Sequence, residues 1–75
     1  MTKFYIEFMK GTKRAFISNE LDASDVEAAK GITAIALEGH QTHYKNRNHA
    51  RLWAMNNGKA ELIGTMKANF KFVDA

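Results

Sequence analysis

"NELDASDVEAAKGITAIALEG", residues 19–39, is where this chain changes period, and the fold turns on how it is read. Before it, apolar residues alternate at every second position. Within it they recur at every third or fourth. Val26, Ala29, Thr33 and Leu37 form a stripe that Ala28, Ile32, Ile35 and Ala36 widen, the mark of an amphipathic helix. Ser24 with Glu27 three residues on makes a capping box, and Asp25 and Glu27 suit the positive end of the helix dipole. Gly39 is a natural left-handed stop. The pattern predicts a helix over 25–38. Gly31 inside it costs about 1 kcal/mol relative to alanine, which close packing of helix on sheet would explain.

Upstream, "KFYIEFM" (3–9) and "KRAFISN" (13–19) flank Gly11-Thr12, a Gly-X pair of the II′ hairpin type. Closing that turn between Lys10 and Lys13 sets Phe8 opposite Ala15, Ile6 opposite Ile17 and Phe4 opposite Asn19. One face of the hairpin is then mostly apolar, and the other carries Tyr5, Glu7, Arg14 and Phe16. The first eleven residues read as a strand rather than a signal peptide, since Glu7 breaks the apolar stretch.

Downstream, "AMNNGKAEL" (54–62) holds Asn57-Gly58, a strong hairpin signal. Beyond it Ala60, Leu62, Gly64, Met66, Ala68, Phe70 and Phe72 are small or apolar at even positions. Lys59, Glu61, Thr65, Lys67, Asn69 and Lys71 are polar at odd ones, with Ile63 the exception. This predicts one long strand with a bulge or bend near Gly64. The Asn57-Gly58 register pairs Trp53 with Leu62 and places Trp53 in the core, although Leu52 beside it leaves the register open.

These pieces give a single α+β domain over 1–75, of order β-β-α-(β)-β-β. One helix packs on one face of a mainly antiparallel sheet of four to five strands, because one amphipathic helix cannot cover two faces. A chain of 75 residues without cysteine buries only about 60–65% of its unfolded surface. No apolar run reaches the ~20 residues of a membrane span, and the lack of cysteine is compatible with a reducing cytoplasm.

Charge is segregated. Residues 1–18 carry Lys3, Lys10, Lys13 and Arg14 against Glu7; residues 19–38 carry Glu20, Asp22, Asp25, Glu27 and Glu38 against Lys30; residues 39–75 carry six bases against Glu61 and Asp74. The stretch "GHQTHYKNRNHAR" (39–51) contains all three histidines and no acid. His40, His43 and His49 stand at H-x2-H-x5-H, but no carboxylate lies between Glu38 and Glu61 to complete a catalytic zinc motif. The plainer reading makes Gln41–Lys45 an edge strand, Asn46-Arg47-Asn48 a tight turn and His49–Arg51 the start of the next strand. The histidines are then part of a cationic hairpin tip, with no metal and no cofactor. Thiol chemistry is excluded, no Gly-rich phosphate loop precedes a helix, and so small a domain has little room for a ligand pocket of ~300 Å³. The expectation is a protein that is not an enzyme.

Tyr5, Arg14 and Phe16, with Lys59, Lys67 and Lys71, are expected on the uncovered sheet face. There they would offer stacking rings among cations, as single-strand platforms do. His43, Lys45, Arg47 and Arg51 would add contacts to phosphates or carboxylates from the neighbouring loop. The same residue types suit a protein interface, and an exposed edge on the long final strand would admit a homodimer.

The segments "DASDVEAAKGITAIA" and "QTHYKNRNHARLWAMNNGKAEL" resemble the strand–helix–hairpin plan of small phage-encoded host-takeover proteins, anti-CRISPR proteins among them. The matching features are an S-x-x-E-A helix start (Ser24, Glu27, Ala28), a threonine-bearing strand (Thr42) and an LW-A…GK hairpin (Leu52, Trp53, Ala54, Gly58, Lys59). The resemblance covers about half the chain and carries over no functional residue. It implies a compact non-enzymatic binder in the cytoplasm of a bacterial host, acting on a host protein or nucleoprotein complex. The alternative is a domain that binds single-stranded DNA, RNA or duplex DNA directly, with Tyr5 and Phe16 stacking and Lys and Arg contacting phosphates.

Overall fold

The computed structural model describes residues 2–44 and 49–75. Among them, β1 (Lys3–Lys10), β2 (Lys13–Ile17), α1 (Val26–His43), β3 (His49–Asn56), β4 (Lys59–Met66) and β5 (Phe72–Asp74) follow in that order. The strands form one antiparallel sheet of order β2-β1-β3-β4-β5, and α1 packs against β1, β3 and β4 on one side of it. The expected α+β plan is therefore what the chain adopts. Alternation in β1 and β3 sends Phe4, Ile6 and Phe8, with Ala50, Leu52 and Ala54, under the helix. They meet Ala29 and Leu37 in two adjoining lobes that share Leu21 and Phe72 at their margins. Thr33, fully buried among them, donates its hydroxyl to Ala29 O at 2.7 Å, which satisfies that buried hydroxyl.

The helix differs from its expected bounds at both ends. Asp25, not Ser24, is the N-cap: its Oδ1 accepts from Ala28 N at 2.8 Å. At the other end α1 passes through Gly39 and absorbs the expected strand at 41–45 as far as His43. The added turn is held by tertiary contact. His40 stacks on Phe8, with ring centroids 3.7 Å apart, and Gln41 Nε2 donates to Ala68 O at 3.1 Å. Such contacts offset the roughly 1 kcal/mol that a helical glycine costs. Gly31 does not serve close packing, since it is exposed and a Cβ there would meet nothing within 4 Å. The expected turn at Asn46-Arg47-Asn48 lies outside the described residues.

Both hairpins form at the expected turns. Gly11 has φ +62, and Asn57 and Gly58 have φ +50 and +80, the latter pair matching a I′ turn. Each hairpin carries a bulge: the one in β1–β2 is unexpected, and the one in β3–β4 falls beside Gly64, where a bulge or bend was expected. In β1–β2, Met9 pairs with Arg14 but Phe8 with Phe16, so Ala15 is the extra residue, and Glu7, not Ile6, faces Ile17. Beyond the strand, Ser18 takes over the ladder. Its N donates to Ile6 O and its Oγ accepts from Ile6 N, both at 2.8 Å.

In β3–β4 the register runs from Trp53↔Leu62 to Leu52↔Gly64, which leaves Ile63 as the extra residue. The one exception in the alternation is therefore the bulge itself: Ile63 turns inward against Phe4, Leu52 and Ala54, and Leu62 turns outward. The long final strand is in fact two strands. Lys67 N donates to Lys71 O (2.9 Å) and Phe70 N to Lys67 O (2.8 Å), with Phe70 at φ +67, and β5 folds back on β4. The edge on this side is thus the three residues of β5, paired with Gly64, Thr65 and Met66 alone, in place of one long strand. Gly64 permits the fold-back, because a Cβ there would lie 2.5 Å from the Phe72 ring and from Val73 O.

Candidate binding face

The side of the sheet away from α1 is built from the odd-numbered residues of β1 and β3. Tyr5 stands opposite Trp53, Glu7 opposite Arg51 and Met9 opposite His49. Arg14 and Ile17 join from β2 through their pairing with Met9 and Glu7. Leu62, Ala60 and Thr65 join from β4. Trp53 is therefore paired with Leu62 as expected but on the open face, with Leu52 taking the place in the core. Two further expectations are corrected. The Ala15 bulge moves Phe16 to the helix side, where its ring lies 6.1 Å from Phe8 and 5.8 Å from His40. Lys59, paired with Asn56, falls on the helix-side parity at the hairpin tip.

Glu7 is the centre of the face. It is only 5% exposed, and each of its oxygens is engaged. Oε2 accepts from Arg14 Nε at 2.8 Å, Oε1 accepts from Trp53 Nε1 at 3.0 Å, and Arg51 stands 3.7 Å from Oε1. Burial pushes the Glu7 carboxyl toward its neutral form, but the bonds from Arg14 and Trp53 and the charges of Arg14 and Arg51 outweigh it. The net effect holds its pKa below the usual glutamate value. His49 goes the same way for another reason: burial first, and Arg51 second, favour its neutral form against the pull of Glu7.

Two hollows flank this centre. One, of about 300 Å³, is walled by Tyr5, Ile17, Trp53, Met55 and Ala60, with Arg14 at its rim. The other, broad and shallow at about 570 Å³, is lined by His49, Thr65, Lys67, Ala68 and Asn69. Hollows of ligand size thus exist on this small domain, though both are open to solvent rather than enclosed. On the helix side, Phe16, His40 and Tyr44 border a smaller one of about 200 Å³.

Of the residues singled out from sequence, the fold brings Tyr5, Arg14 and Arg51 together around Glu7. It sets Lys67 at the far end of the same face and Lys71 across the β4–β5 turn from it, where Lys71 N donates to Asn69 Oδ1. Phe16 is on the other side, and His43 is exposed in the last turn of α1. Lys45 and Arg47 lie outside the described residues. The three histidines do not form one group: His40 and His43 ride the helix and His49 begins β3. Among the described residues no three His, Asp or Glu side chains are grouped to hold a metal, and no helix is long and apolar enough to cross a membrane.

Pattern reading put Glu7 on this face without giving it a role, put Ile17 and Trp53 on the core side, and passed over Met55. Its one usable signal was a glutamate inside an aromatic strand ("FYIEF"), which needs a cation across the ladder and finds one in "ARLWAM". The chain matches no protein-family model, and no curated protein or solved structure matches it.

Proposed function

We propose that this chain is a non-catalytic binding protein that engages a protein partner through the helix-free face of its sheet. The observation that carries the reading is the buried Glu7 with its ring of Arg14, Arg51 and Trp53. A strand face meant only for water needs no carboxylate buried at its centre. Here Glu7 is satisfied from within, so Tyr5, Ile17, Trp53 and Met55 can lose water against another surface without stranding its carboxylate. Tyrosine, tryptophan, methionine and arginine are the types enriched at interfaces, with aromatics and arginine foremost among hot spots. The resemblance to phage-encoded host-takeover proteins supports a subunit of a host complex as the partner and the bacterial cytoplasm as the place of action.

Trp53 reports on the proposal, since it is the chain's one tryptophan. Incubation with bacterial extract should give a complex of fixed stoichiometry in which Trp53 emission shifts on binding. A complex that leaves Trp53 unchanged, or no complex at all, counts against this reading.

Direct nucleic-acid binding is the second reading, and it is favoured by the hollow of His49, Thr65, Lys67 and Asn69, which has no carboxylate in its lining. It requires affinity for generic single strands at low salt that falls by roughly 0.7 log units per phosphate contact for each tenfold rise in salt. Against it stands the loss of Phe16 from the face.

A further inference from the structure

Among the described strand residues the open face carries several bases and a single acid, Glu7, and at its margin Lys3 lies 3.7 Å from Glu20 of the loop after β2. Glu61 stands opposite Ala54 and Asp74 opposite Gly64, both on the helix-side parity, and Asp74 lies 3.8 Å from Lys30 of α1. Glu27 and Glu38 ride on the helix itself. Glu7 is the one strand carboxylate facing the open side among the described residues, and both of its oxygens are already engaged. Arg14 is different. It meets Glu7 through Nε, its side chain is 57% exposed, and it sits at the rim of the apolar hollow. A guanidinium held at Nε keeps its two terminal nitrogens as an end-on fork, a geometry matched to a carboxylate.

We infer that the face receives an acidic segment of the partner protein, with one apolar side chain entering the hollow between Tyr5, Ile17, Trp53 and Met55 and a neighbouring carboxylate docking on Arg14. This deepens the protein-binding reading and rests on it. Charge complementarity selects the occupant, because a basic or neutral segment would leave Arg14 and Arg51 facing no counter-charge beyond Glu7. The apolar walls select the anchor, because a bare phosphate would gain nothing from them. Glu7 acts as the positioning residue: bound to Arg14 Nε, it holds the guanidinium at the rim instead of letting it sweep through solvent, which lowers the ordering cost of binding.

The test uses the full chain labelled with nitrogen-15, whose single tryptophan gives one indole Nε1–H signal. The probe is a short end-blocked peptide with a central leucine between aspartates and glutamates. Two control peptides carry serine for the leucine, or asparagine and glutamine for the acids. The acidic leucine peptide should move the Trp53 indole signal saturably, and each control should bind about tenfold more weakly or worse. Arg14→Gln should weaken the acidic peptide about tenfold and leave the neutral control unchanged, with the thermal midpoint showing that the variant is folded.

Equal binding of acidic and neutral peptides overturns the inference. So does an unmoved indole signal, or displacement of the peptide by a second copy of the chain or by a single-stranded oligonucleotide. If the complex from bacterial extract forms with Trp53 in it and the acidic peptide fails to compete, the inference falls and the protein-binding reading stands. If that complex does not form, the reading itself falls.

Discussion

Trp53 donates its indole N–H to Glu7 Oε1 at 3.0 Å, diagonally across the β1–β3 ladder, two pairs along from the Glu7–Arg51 match. Diagonal neighbours on one face of an antiparallel pair are within reach of long side chains. This one ties the largest aromatic of the chain to its most buried carboxylate, and the open face is organised around the tie.

Removal of Glu7 should therefore cost more than removal of either donor. Glu7→Ala leaves two arginines and an indole without their acceptor and should destabilise by roughly 2–3 kcal/mol, below the full cost of a fully buried pair because Arg14 is half in water. Trp53→Phe keeps the Glu7–Arg14 bond and should cost about 1 kcal/mol through the lost hydrogen bond. Urea unfolding of the two variants checks the order; Trp53→Phe as the worse of the two would contradict it.

Acid should weaken the fold in two stages. The folded pKa of His49 is lowered, so between it and the unfolded value of about 6.5 the unfolded chain binds more protons, and stability falls as pH drops below ~6.5. The folded pKa of Glu7 is also lowered, so its contribution is present at neutral pH and is lost as pH falls from ~4.3 through the folded value. Thermal midpoints from pH 8 to pH 3 should show both declines. His49→Gln should remove the upper one and leave the lower.

The helix invites a stabilising change. Gly31 is exposed with nothing near a built Cβ, so Gly31→Ala should raise stability by about 1 kcal/mol through helix propensity and reduced unfolded-state entropy. An unchanged or lower urea midpoint would show that the position is constrained in a way the packing does not reveal.

Gly64→Ala should act in the opposite sense. The added methyl collides with the Phe72 ring and Val73 O, and the loss should be about 1–3 kcal/mol, as for other overpacked sites. Faster amide exchange confined to β4–β5 would locate the damage. Exchange that stays native would mean that β5 yields without cost.

What the sequence made legible was whatever depends on period and turn chemistry. The helix stripe, the Gly11-Thr12 and Asn57-Gly58 turns and the Trp53–Leu62 pairing all follow from neighbours within a few residues. What escaped depends on distant contacts. The helix runs through Gly39 because His40 finds the Phe8 ring, and the last strand folds back because Gly64 leaves room for Phe72. A bulge shifts every later side chain to the other face, so missing the one at Ala15 misplaced Phe16. The Ile63 bulge was visible as the single break in alternation, but a break alone does not say which residue is extra. Glu7 looked like an ordinary exposed strand residue, and only the pairing of β1 with β3 and β2 makes it the centre of the site.

The central claim is that the helix-free face binds and the helix face does not, and two matched substitutions test it. Ile17 is 44% exposed and lines the open-face hollow, and Ile35 is 75% exposed on the helix. Ile17→Asp and Ile35→Asp each place one acidic group on a solvent-accessible site, so both chains should stay folded. Affinity for the captured partner should fall at least tenfold, about 1.4 kcal/mol, for Ile17→Asp and stay within twofold for Ile35→Asp. The reverse order, or equal loss from both, would contradict the account.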